Sequence, residues 1–204
     1  DMAFEEHTDI AEKIRTDESV PLRAFSLAGS PCDCVIVAID GGLRSWAPEI
    51  RPWLCISGIN RGPNLSVDVL HSGTVSAARE ASLYGLPSLS VSLATYSHQD
   101  YSQSIEATLA LVERLSELVT VEPSNILRPE GSRTRPIEGT GPNSLRSWFM
   151  QGNMFLNLNI PEDWNGTFQT VPLGARWYHN ATDMIDQKST GVAFEVGAAR
   201  IIDE

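Results

Sequence analysis

Between residues 53 and 119, short apolar runs alternate with amphipathic stretches, and that order leaves few folds open. Trp53-Leu54-Cys55-Ile56 is a nearly all-apolar run, the pattern of a strand covered on both faces in a parallel sheet. Ser57-Gly58-Ile59-Asn60-Arg61-Gly62-Pro63-Asn64 is rich in turn formers and reads as a loop. Ser72-Gly73-Thr74 then opens a small-residue helix from Val75 to Tyr84, closed by Gly85. Leu89, Val91 and Leu93 alternate with serines, which is the period of a strand. Tyr101, Ile105, Thr108, Val112, Leu115 and Val119 step by four and three, one stripe along a helix. Strand, helix, strand and helix at these spacings require right-handed crossovers, so the class is α/β with a mostly parallel sheet.

The flanks are read with the same rules. Residues 20–28 suit a short strand. Ser30 as N-cap, Pro31 at the first helical position and Asp33 at the third mark a helix start. Its apolar run Cys34–Ile39 stops at Gly41-Gly42. Residues 124–147 carry Pro129, Pro136 and Pro142 with three glycines and four arginines, and are expected to form a surface insertion. Met154, Leu156, Leu158 and Ile160 alternate with asparagines in a further strand ending at Pro161. The remainder looks like short strands and turns, a β-rich C-terminal segment. The 204 residues suit a single domain.

Charge narrows the partners. Fifteen Lys and Arg against 26 Asp and Glu give a net charge of −11 and a pI near 4.8. That excludes a nucleic-acid polymer or an anionic membrane as partner, because both require a basic footprint. A small phosphorylated ligand stays open, since a few local donors can hold it. No run approaches the ~20 apolar residues of a membrane span. The start, Asp1-Met2-Ala3-Phe4-Glu5-Glu6, is acidic and unlike a secretion signal. Cys32, Cys34 and Cys55 form neither a disulfide framework nor a zinc pattern, so a reduced, cytoplasmic chain is expected. A redox role for Cys32 and Cys34 ranks behind that reading.

Ligands of an open parallel sheet bind beyond the carboxyl ends of the strands, where loops feed helix N-termini. The 57–74 segment occupies such a place. Ser72, Gly73 and Thr74 offer unpaired N–H groups, hydroxyls and a positive dipole end to a phosphate, although Ser72 is also explained as a plain N-cap. Asn60 can give a neutral oxygen to a hard cation, or be a turn residue. Asp68 reads as a ligand, a loop cap or a solvated acid. His71 is well placed for proton transfer. Asn64 completes the candidate pocket, and Arg61 either meets a phosphate or solvates the loop. His98 reads as a turn residue and His7 as solvated.

Three blocks together resemble the SurE family: Ser57 to Asn64, Asp68-Val69-Leu70-His71-Ser72-Gly73-Thr74-Val75-Ser76-Ala77-Ala78, and Gly85-Leu86-Pro87-Ser88-Leu89-Ser90-Val91-Ser92. Gly29-Ser30-Pro31-Cys32-Asp33-Cys34-Val35 and Leu156-Asn157-Leu158-Asn159-Ile160-Pro161 are similar to two more of its motifs. The resemblance implies a Rossmann-like three-layer core and hydrolysis of nucleoside monophosphates to nucleoside and phosphate. It also implies a divalent metal, Mg2+ or Mn2+, and assembly as a homodimer or tetramer. By motif, Asn60 falls on a metal-binding asparagine, and Ser72, Gly73 and Thr74 on the phosphate pocket.

The family's adjacent aspartates, which supply metal ligands and the base for an attacking water, have no counterpart, since no Asp-Asp pair occurs in the sequence. No catalytic residue is therefore assigned. The expectation is a SurE-like domain over residues 1–204 without the family's first and last strands, bringing one metal ligand, Asn60. The second reading is a non-catalytic phosphate- or nucleotide-binding relative or an inactive fragment.

Overall fold

The structure is a computed structural model that describes residues 3–118, 144–150, 152–179, 182–188, 191–196 and 200–203. The chain opens with β1 (Phe4–Glu6), α1 (Thr8–Ile14) and β2 (Phe25–Leu27), β1 and β2 forming a small antiparallel pair. Phe4 stacks on Trp46 at 3.9 Å between ring centroids. Arg23 bridges Glu6 at 2.5 Å and Glu49 at 3.0 Å.

The Ser30 start forms as its sequence requires. In α2 (Pro31–Val37) Asp33 N donates to Ser30 Oγ at 3.2 Å, and Ser30 N donates to the Asp33 carboxylate at 2.8 Å. Each side chain satisfies a main-chain donor that the first helical turn leaves free. The helix loosens into a wide turn over Ala38–Gly42, where Gly41 takes φ +112°. A short α3 (Leu43–Trp46) follows.

The central sheet holds β3 (Cys55–Arg61), β4 (Ser88–Leu93) and β5 (Leu156–Ile160), all parallel, in the order β3-β4-β5. Between β3 and β4 run α4 (Asp68–His71) and α5 (Gly73–Leu83); α6 (Ser102–Leu118) and α7 (Ser144–Met150) precede β5. α5 covers one face of the sheet and α6 the other, so the described core has three layers. The C-terminal strands β6 (Arg176–His179), β7 (Thr182–Lys188), β8 (Gly191–Val196) and β9 (Arg200–Asp203) pair antiparallel as β6 with β9 and β7 with β8.

Four local readings change. The strand at Trp53–Ile56 begins two residues later and runs on through Ser57–Arg61, so most of the expected loop is strand. Among the described residues β3 is an edge strand and Ile56 is 45% exposed, so it is not covered on both faces. β4, the expected strand at Leu89–Leu93, forms and is buried at all six positions. Leu89 and Val91 pack with Ala107 of α6 and Ile160, while on the opposite face Ser88 donates to Ala78 O of α5. The buried side of α6 is formed by Ser104, Ala107, Thr108 and Leu115, and Ile105 is 49% exposed. The true face is rotated from the expected stripe, because small residues let the helix approach the sheet closely and bulkier Ile105 is left outside. Of the expected insertion, residues 124–143 lie outside the described residues and 144–147 begin α7.

Candidate functional site

The candidate site lies at the carboxyl ends of the three parallel strands. Registered neighbours in a parallel sheet share a face. Asn60 of β3 aligns with Ser92 of β4, and Ser92 aligns with Asn159 of β5. One register step earlier Ser57, Ser90 and Asn157 form a parallel row. The spacing of Ser57 and Asn60 would place them on opposite faces of a regular strand. An extra residue in β3 between them shifts the register against β4 and corrects the parity, which is how a bulge re-aims a side chain.

A buried polar clamp sits on these rows. Asn64, 4% exposed, donates from Nδ2 to Ser92 Oγ at 2.6 Å. Its main-chain N–H donates to Asn159 Oδ1 at 2.8 Å. Its carbonyl accepts from Asn157 Nδ2 at 2.9 Å and Asn159 Nδ2 at 3.2 Å. Ser90 Oγ donates to Asn157 Oδ1 at 2.9 Å, orienting that amide in turn. The loop after β3 is thereby tied to β4 and β5 by hydrogen bonds that a buried main chain requires.

From the clamp the chain passes through α4 to the start of α5. Ser72 is the N-cap: its Oγ accepts from Val75 N at 3.2 Å. Gly73 lies against Pro31 at the start of α2, where a Cβ on Gly73 would stand 3.1 Å from Pro31 Cγ. Cys32 Sγ lies 3.6 Å from Glu80, and further along burial and then the charge of nearby Asp40 raise the Tyr84 hydroxyl. α2 and α5 therefore run side by side in the same direction, with their N-termini together. α5 follows a parallel strand and precedes another, so its free N–H groups and positive dipole end open at the ligand-binding end of the sheet.

The other expected residues divide. Asn60 donates from Nδ2 to Gly62 O at 2.9 Å, which fixes its amide, and its Oδ1 accepts no hydrogen bond among the described residues. Asp68 is a loop cap: Oδ2 accepts from Leu65 N at 3.2 Å, and Oδ1 accepts from Tyr178 Oη of β6. His71 is exposed at the end of α4. Arg61 ties β3 to the turn after β4 by donating to Tyr96 O at 2.6 Å. His7 is partnered by Ser26 Oγ at 2.8 Å across the first strand pair. Cys32 and Cys55 are half-buried and Cys34 exposed. Burial pushes the Cys55 thiol up to about 11; the Cys32 thiol is also raised, by burial and then by Glu80.

Two groups of residues had no site role in the sequence reading. Asn157 and Asn159 gave a signal in the alternation of Leu156–Ile160, because their parity matches that of Ser90 and Ser92. The second group gathers around Glu162, just past β5. Its carboxylate accepts from Thr95 Oγ1 and Ser97 Oγ, with His98 Nε2 at 3.7 Å. The hydroxyls of Ser97 and then Thr95 hold that carboxyl below its ordinary range. Nothing in the local sequence announces this pairing across 65 to 67 residues.

A divalent ion of the magnesium or manganese kind takes about six oxygen ligands, carboxylates among them. Among the described residues no group of three or more His, Cys, Asp and Glu side chains is arranged to hold one, and Asn60 brings a single neutral oxygen. The described donor set therefore does not fit a metal centre. The start of α5 offers, instead of charged oxygens, the Ser72 and Thr74 hydroxyls and the N–H groups of a first helical turn.

Comparison with known proteins bears on the family and the fold. The model of a family described as Survival protein SurE matches residues 4–182. The chain is similar to 5'-nucleotidase SurE of Synechococcus sp. (strain JA-3-3Ab), with 48% identity over 95 residues, 47% of this chain and 35% of that protein. It is also similar to 5'-nucleotidase SurE of Heliobacterium modesticaldum, with 35% identity over 162 residues, 78% of this chain and 47% of that protein. The chain spans half or less of the length of these curated relatives. Among solved structures, that of the Sure protein from Aquifex aeolicus shares the fold, with a TM-score of 0.54 at 21% identity, covering 100% of this chain and 63% of the other.

Proposed function

The chain belongs to the SurE family, and from that premise we propose that it carries the phosphate-binding half of a nucleoside monophosphate phosphohydrolase site. The observation that supports this reading is the start of α5. Ser72, Gly73 and Thr74 open an eleven-residue helix beyond the carboxyl end of a parallel strand. The Ser72 hydroxyl, the main-chain N–H groups of the first turn and the Thr74 hydroxyl would meet the phosphoryl oxygens. The helix dipole favours their charge. The Asn64 clamp holds the connection that leads to this helix start, so little ordering remains for binding to impose.

Asn60 would face the ligand from β3 with its amide already oriented by Gly62. Neutralising phosphate charge and activating water is the chemistry that a divalent ion would supply, and the described residues do not gather the ligands to hold one. The residues described here bind and orient the phosphate. One observation favours the second reading, binding without turnover: among the described residues no three His, Cys, Asp or Glu side chains gather to hold a metal, and Asn60 brings one neutral oxygen where a metal needs several. Self-association as a homodimer or tetramer belongs to the same proposal and would be read by sedimentation.

Titration with inorganic phosphate, followed by calorimetry, tests the phosphate site. Ser72→Ala and Thr74→Val should each weaken binding several-fold, on the scale of one lost hydrogen bond to a charged group. Unchanged affinity in both variants contradicts the assignment.

A further inference from the structure

Tyr96 follows the last residue of β4 by three positions and is 64% exposed, yet it is fastened from three sides. Gly62 has φ +101° and lies under the ring: a Cβ there would stand 2.2 Å from Tyr96 Cε1 and 2.4 Å from Cζ, so only glycine lets the ring rest on the main chain. Arg61 donates to the Tyr96 carbonyl at 2.6 Å. On either side, Thr95 and Ser97 donate to Glu162 beyond β5, and Ser97 N donates to Thr95 Oγ1 at 3.0 Å. The same Gly62 accepts from Asn60 Nδ2 at 2.9 Å. An aromatic ring held at the carboxyl end of a parallel sheet, and still open to water, is prepared for a flat partner. Gly62 follows β3 directly, at the carboxyl end of the strand beyond which ligands of a parallel sheet bind.

We propose that Tyr96 is a nucleobase platform, its ring stacking on the purine or pyrimidine of a nucleoside monophosphate whose phosphate lies at Ser72–Thr74. Stacking needs only a π face on the ligand, so it accepts every base. This placement rests on the phosphate reading above, and the experiment separates the two. Glu162 acts through Thr95 and Ser97 as a positioning residue for the platform.

Saturation-transfer NMR on the full 204-residue chain would compare AMP, adenosine, ribose 5-phosphate and inorganic phosphate. Tyr96→Leu should weaken AMP and adenosine by roughly tenfold, the scale of one lost base stack, and leave ribose 5-phosphate unchanged. Tyr96→Phe, which keeps the ring, should bind all four as the parent does. Unchanged AMP and adenosine affinity in a folded Tyr96→Leu variant overturns the platform. So does an equal loss of AMP and ribose 5-phosphate, which marks a collapsed loop, or absence of adenosine binding to the parent. If neither phosphate nor ribose 5-phosphate binds while adenosine still responds to Tyr96→Leu, the platform stands and the phosphate reading falls.

Discussion

Asn159→Leu takes one member out of the clamp on Asn64 while keeping the branched shape of the side chain. Two hydrogen bonds disappear, from Asn64 N at 2.8 Å and to Asn64 O at 3.2 Å. The carbonyl keeps Asn157 at 2.9 Å as a donor, but the main-chain N–H of a residue only 4% exposed loses its acceptor. Two net hydrogen bonds contribute about 2 kcal/mol, and the stranded donor adds roughly 1 to 2, so the loss should be about 3 to 4 kcal/mol. With a urea slope near 2 kcal/mol/M, the unfolding midpoint should fall by roughly 1.5 to 2 M at unchanged slope. Circular dichroism across a urea series reads this. Amide exchange at Asn64 gives a local check, because its protection should fall with the acceptor. A loss under about 0.5 kcal/mol, the usual range for surface substitutions, would refute the argument that the clamp anchors the loop.

Ser30→Ala removes the hydroxyl that accepts from Asp33 N and donates to the Asp33 carboxylate, leaves the main-chain half of the cap on α2 in place, and should cost about 1 kcal/mol in thermal or urea unfolding. The Asp33 carboxyl is held below its ordinary value by the Ser30 hydroxyl and then the Ser30 main-chain N–H. A depressed carboxyl stabilises the fold above its unfolded value of 3.8, and that contribution is lost as pH falls through the lower folded value. Asp33→Asn should therefore flatten the stability profile below about pH 4. With the Cys55 thiol at about 11, about one in a thousand is thiolate at pH 8, so folded chain should alkylate at exposed Cys34 well before Cys55, as peptide mass mapping would show. With added Mn2+ the 204-residue chain should hydrolyse nucleoside monophosphates little or not at all. Robust turnover abolished by Asn60→Ala would contradict the donor-set argument.

The parallel core was legible because its signals are local. Ser30-Pro31-Cys32-Asp33 carries its own cap, Ser72 carries another, and the alternation in Leu89–Leu93 fixes a strand whatever covers it. What escaped depends on partners far away in sequence. The Ser57–Arg61 stretch looks like a loop by composition, but pairing with β4 draws it into a strand whose extra residue places Asn60 in line with Ser92. Nothing local to β4 shows what buries its serines: Ser88 Oγ donates to Ala78 O of α5 at 2.7 Å, while Ser90 and Ser92 meet Asn157 and Asn64. At the site, Ser72 was open to two roles, and its cap to Val75 shows one of them. Asp68 resolved into a loop cap once Tyr178 arrived from β6, 110 residues away. Tyr96 had no motif to mark it, because its meaning comes from lying over Gly62.

The most direct test of the phosphate site is a titration of the isotope-labelled chain with AMP, following main-chain amide resonances. The account predicts saturable shifts at Gly73, Thr74 and Val75, reproduced at the same three amides by inorganic phosphate. Silence at those amides, while AMP shifts resonances elsewhere or nowhere, would contradict it.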